Sequence, residues 1–192
     1  MAIIHSRRSA SLLAVALSLA SMASAEVRGK ASVPAGEHEQ GLALQRLGVL
    51  LLHQMETAAR DTRYHAGELE TYDNYQSVSR WSHLHHADHI QQSIEQGLKP
   101  ALEQLERLRP YLGWREPAFD KLFTAASELA AADNSVLGET RLRSTPTVLN
   151  LKFSQAVKRV VRQAGALVKA SSTAGEYAAS QVKAAEGTPS KR

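Results

Sequence analysis

Apolar side chains recur at alternating steps of three and four residues on four stretches of this 192-residue chain, and no other feature limits its possible folds as much. That step lines side chains along one stripe of an α-helix. The first stretch reads Leu44, Leu51, Met55, Ala58, Thr62, His65, Leu69 and Tyr72, and the turn-forming pair Asp73-Asn74 ends it. The second reads Leu84, Ala87, Gln91, Ile94, Leu98, Ala101, Leu105 and Leu108 and is expected to stop at Pro110. Gly97 and Pro100 lie inside it, and the missing amide proton of Pro100 predicts a kink or a restart there.

The third stretch begins at Pro117 and reads Phe119, Leu122, Ala126, Leu129, Asp133 and Val136. The fourth begins at Thr145-Pro146, an N-cap followed by proline at the first helical position, and reads Phe153, Val157, Val160, Ala164 and Leu167. Its opposite face carries Lys152, Lys158, Arg159, Arg162 and Lys169. No stretch holds a period of two long enough for a sheet. The fold expected is all-α: an antiparallel, up-down-up-down four-helix bundle with long helices, about 40–50 Å from end to end at 1.5 Å per residue.

The two ends of the chain read differently. Arg7 and Arg8, the uncharged apolar run 12–20 and the small-residue motif Ala23-Ser24-Ala25 make 1–25 a secretory signal peptide, cleaved near Ala25. The run is too short to span a bilayer, and no second one follows. Residues 26–36 read as a flexible lead-in, 37–170 as the bundle, and 171–192 as a frayed helix end and disordered tail. The expectation is a soluble, exported protein, periplasmic or extracellular, with no transmembrane segment.

Composition narrows the chemistry. Removal of Arg7 and Arg8 with the leader leaves 21 basic against 19 acidic residues, so the net charge falls from +4 to +2 and offers no case for a nucleic-acid partner. The chain has no cysteine, which excludes thiolate zinc sites, iron–sulfur clusters, covalent c-type haem and a cysteine nucleophile. It has neither a Gly-x-Ser-x-Gly elbow nor a glycine-rich phosphate loop, and a tight bundle offers no obvious cleft, so no enzyme is expected. Trp81, Trp114, Tyr72, Tyr75 and Tyr111 fall near helix ends, where they are expected to cap the core.

The histidines carry what chemistry is left. His83, His85, His86 and His89 crowd one helical segment at i,i+3 and i,i+4 spacings, which can place pairs on one face and suit Zn, Cu or Ni. If Leu84 and Ala87 point inward, His85, His86 and His89 form an outward-facing surface patch. His65 sits in core register on the first helix. Counting from the turns places it level with His83 and with Asp133, with His86 near the layer, so these four are the candidate metal ligands. Hydrogen-bonded burial of His65 and Asp133 is the plainer account of the same positions.

The function expected is an exported, non-enzymatic binding or interaction protein of the cell envelope, its partner a protein or an envelope component and its cofactors none. One alternative is a carrier or sensor of a divalent transition metal held by the histidine layer. Another is a pH-responsive histidine surface, since imidazole titrates near pH 6.5.

Overall fold

The computed structural model describes residues 35–72, 78–114, 116–141 and 151–187. The expected signal peptide, nearly all of the expected lead-in, the expected turn at Asp73-Asn74, the expected cap at Thr145-Pro146 and residues 188–192 lie outside them. Every regular element among the described residues is helical: α1 (Ala35–Tyr72), α2 (Arg80–Gln92), a π-helical segment (Ser93–Leu98), α3 (Lys99–Leu112), α4 (Glu116–Arg141) and α5 (Leu151–Glu186). The segment from α2 to α3 is one continuous rod, so four helical rods pack together. α1 lies against α5 and against the α2–π–α3 rod, and α4 lies against α5 and α2.

The core is the 3-4 stripe made solid. On α4, Phe119, Leu122, Ala126, Leu129, Asp133 and Val136 are all buried, and on α5 so are Phe153, Val157, Val160, Ala164 and Leu167. Each Leu or Phe removed from water contributes roughly 1.5–3 kcal/mol. With no disulfide to help, that burial holds the rods together. Ion pairs mark how the ends meet rather than add much strength, since exposed pairs are worth at most about 1 kcal/mol. Arg46 near the start of α1 bonds Glu186 at the end of α5, at 2.6 Å. Arg109 of α3 reaches Asp120 of α4, at 3.3 Å.

The chain departs from the expected boundaries in three places, each for a local reason. The restart near Pro100 takes the form of a wider turn: the six residues before α3 are π-helical, and Lys99-Pro100 opens the new helix. α3 then runs through Pro110 to Leu112. Pro110 lies within the last turn, where it removes one hydrogen bond, while buried Leu112 anchors the end and Gly113, at φ 60°, closes it in the left-handed conformation. The helix also stays packed past Ala170, where a frayed end is expected, because Ser171, Ala174 and Ala178 extend the buried stripe of α5.

Two glycines sit at close approaches of α1 to the chain packed against it. A Cβ at Gly97 would stand 2.9 Å from the Cβ of Ala58, and one at Gly48 would meet Trp114 at 2.8 Å. α1 therefore approaches the α2–π–α3 rod nearly backbone to side chain at these points. Among the described residues no helix is long and apolar enough to cross a membrane.

Candidate functional site

The histidines gather where the C-terminal part of α1 meets the start of α2. Ser79 caps α2: its hydroxyl accepts a hydrogen bond from the Ser82 amide, at 3.2 Å. One turn on, a ring nitrogen of His83 donates to the Ser79 carbonyl, at 3.1 Å, so His83 braces the helix start. Its ring also packs edge-on to Tyr72 and meets Phe153 of α5.

The centre of the cluster is a pair. Nδ1 of His65 faces Nδ1 of His86 at 2.9 Å, and Nε2 of His86 lies 3.0 Å from the Tyr72 hydroxyl. His65 also stacks nearly parallel on His89, with centroids 4.6 Å apart. His89 meets His85 edge-on at 4.5 Å, and His85 stacks on Trp81. The result is a continuous seam of rings from half-buried His65 to Trp81, which is 71% exposed.

This placement corrects the expected surface patch. His85 is exposed as anticipated, but His86 and His89 are half-buried against α1. The physical reason is the π-helical segment. A π turn holds more residues than an α turn, so a heptad counted straight through 93–98 loses phase by about one residue. Downstream, Leu98, Ala101 and Leu105 are buried as expected. Upstream, Ile90 rather than Gln91 is buried, Ala87 keeps its inward place, and His83 and His86 are half-buried like Leu84. Gly97 and Pro100 were the only sequence signs of the change, and they pointed to a kink rather than a phase shift.

The expected metal layer of His65, His83, His86 and Asp133 is not brought together as a ligand set. Among the described residues no three His, Asp or Glu side chains form a group that could hold a metal ion. His65 and His86 do meet. His83 spends a ring nitrogen on the Ser79 carbonyl, and Asp133 is buried within α4, 3% exposed. α4 continues to Arg141, which places Asp133 inside the helix rather than at its end.

Electrostatics follow from this crowding. Burial pushes His65 below the ordinary histidine value of 6.5, and His89, His86 and His85 add to the shift, while Asp61 opposes it. Burial likewise lowers His86; His85 is the next cause, Glu68 pulls the other way, and His89 and His83 add smaller repulsions. Chemically, the pair can hold one proton between its Nδ1 atoms but not two. With both rings neutral, one Nδ1–H donates to the other Nδ1, and His86 Nε2 either donates to or accepts from the Tyr72 hydroxyl. A proton on each Nδ1 would set two N–H groups head to head across 2.9 Å.

Of the molecule's other concave features, a cavity near the α3–α4 connection is lined by Leu52, Trp114, Phe119, Leu122, Ala174 and Tyr177. It measures about 10 Å³, room for a single water. Trp114 is buried and stacks on Phe119, so it caps the core as expected, whereas Trp81 and Tyr111 remain exposed. Tyr75 lies outside the described residues. The sequence matches no protein-family model, and neither a curated protein nor a solved structure matches it.

Proposed function

We propose that the protein is an exported, non-enzymatic bundle of the cell envelope that works by binding a partner, and that the imidazole seam between α1 and α2 makes that binding depend on pH. The arrangement proposed for the rods is antiparallel, up-down-up-down. Its support is the meeting of helix ends: Arg46 with Glu186 and Gly48 beside Trp114, far apart in the chain, and Tyr72 with His86 on successive helices. The observation that carries the functional reading is the 2.9 Å approach of His65 Nδ1 to His86 Nδ1 at a half-exposed helix seam.

The groups around that pair set the direction of the response. α1 contributes Asp61, Glu68 and Tyr72, and α2 contributes His83, His85 and His89. Because both pKa values are lowered in the folded state, the unfolded chain takes up more protons below its own value of about 6.5. The stabilisation is present above that pH and is lost as pH falls through the folded pKa values. Acid therefore loosens the seam and exposes the rings that join Trp81 to the core.

The test compares melting temperature and hydrogen exchange at pH 5 and pH 7.5, about one unit or more either side of the histidine value. The wild type melts lower at the acid pH, and amides of 80–92 lose protection once intrinsic exchange rates are corrected. The double substitution His65→Phe and His86→Phe removes most of that difference. Equal melting and equal protection at both pH values in the wild type would sink the reading. Export has its own check: the mature protein recovered outside the cytoplasm begins at Glu26 by intact mass, and a product retaining residues 1–25 contradicts it.

A further inference from the structure

We propose that the outer face of α5, carrying Lys158, Arg159, Arg162 and Lys169 together with Arg63 of α1, is a docking surface for an anionic lipid membrane. At about 100° per residue these four side chains fall within about 100° of one another on the helix, along roughly 16 Å of its length. All are exposed, and the buried stripe of Phe153, Val157 and Val160 lies on the opposite side. α5 has no acidic residue before Glu176.

Arg63 adds a fifth charge from across the helix seam. It is exposed, and its Nε comes 4.0 Å from where a Cβ of Gly165 would stand, between Arg162 and Lys169 in sequence. Four cations elsewhere are matched, Arg46 with Glu186, Arg60 with Glu56, Lys99 with Glu95 and Arg109 with Asp120, while the unmatched Arg80, Arg107, Lys121 and Lys183 lie scattered over four helices. Among the described residues none of the five in this face makes an ion pair. Like charges gathered without a counter-charge repel one another, and an external anion relieves the repulsion.

The face selects the kind of anion. Between Lys158 and Lys169 α5 has no aromatic side chain to stack on the bases of a single strand, and the exposed aromatic of this region, Tyr64, lies on α1 beside Arg63. Nor does that stretch carry the exposed Trp, Tyr or Leu anchor on which a protein interface concentrates its energy. A plane of lipid phosphates needs only a row of Lys and Arg brought within a Debye length. The apolar side of α5 is committed to the core, so attachment is adsorption to the headgroups rather than insertion. The proposal uses none of the histidines and goes beyond the pH-dependent reading.

The test is flotation of the full protein with vesicles of phosphatidylcholine alone and of phosphatidylcholine mixed with phosphatidylglycerol. Binding is expected to the mixed vesicles only, to weaken as salt is raised, and to fall about tenfold or more in the triple variant Arg159→Gln, Arg162→Gln, Lys169→Gln. Circular dichroism checks that the variant is folded. A control removes the same charge from matched cations, with Arg46→Gln, Arg60→Gln and Lys99→Gln, and is expected to keep most of the binding. Equal partition into neutral vesicles, unchanged binding of the triple variant or an equal loss in the control overturns the proposal. Tighter binding of duplex DNA than of the anionic vesicles does the same.

Discussion

Truncating Phe119 to alanine lowers the stability of the bundle by about 3–5 kcal/mol, the cost of emptying a well-packed aromatic site. Phe119 is among the largest fully buried side chains. It stacks on Trp114 at 5.2 Å and lies near Phe123, and the Arg109 guanidinium stands 5.6 Å from its ring centroid. One ring thus joins the end of α3, the connection and the start of α4. For a chain of this size the melting point falls by on the order of 10 °C. Trp114 reports the change directly in a Trp81→Phe background, where its emission shifts to the red as the indole meets water. A loss below about 1 kcal/mol, the average for an arbitrary substitution, would remove Phe119 from the role given to it.

The second large effect is steric. Gly97→Leu destabilises the protein by about 3 kcal/mol, the upper range for overpacking a close contact, because a Cβ there already meets the Ala58 Cβ at 2.9 Å. The same Gly→Leu change at Gly67, which has nothing within 4 Å of its Cβ position, stabilises α1 by about 0.5–1 kcal/mol through helix propensity. Chemical denaturation of the two variants should therefore give changes of opposite sign. If both move the same way, the tight approach of α1 to the π-helical segment is not what holds Gly97 in place.

Much of the architecture was legible because the 3-4 stripe is nearly unbroken. All six core positions read on the third stretch are buried, as are all five on the fourth. On the first, Leu51, Met55, Ala58, Thr62 and Leu69 are buried, with Leu44, His65 and Tyr72 half-covered. Thr62 fits the apolar stripe because its hydroxyl donates to the Ala58 carbonyl at 2.8 Å and leaves no unmet donor. The packing of the end of α5 is hard to read because Ala, Ser and Gly suggest a frayed end in composition, whereas Ser171, Ala174 and Ala178 keep helical step and are buried.

The site was legible only in part. The stripe names His65 and His86 as neighbours of one layer but puts His86 on an outward patch as well, because it counts the second stretch as if one helix type ran its whole length. Periodicity reports a face only while the turn size is constant. His83 shows a different limit: its bond to the Ser79 carbonyl depends on where α2 begins, and the stripe carries no information about that start.

The π-helical segment at 93–98 makes the histidine seam a matter of residue count. With one residue fewer in that stretch, the row upstream would rotate by about 100°, and His86 would leave its place opposite His65. No histidine need be gained or lost for such a chain to lose its paired imidazoles. In evolutionary terms, a single-codon insertion or deletion nearly a full helical turn or more from the rings would act as the switch between a solvent-facing row and a proton-sensitive joint. Related chains should therefore be compared by the length of this segment before they are compared by the histidines it presents.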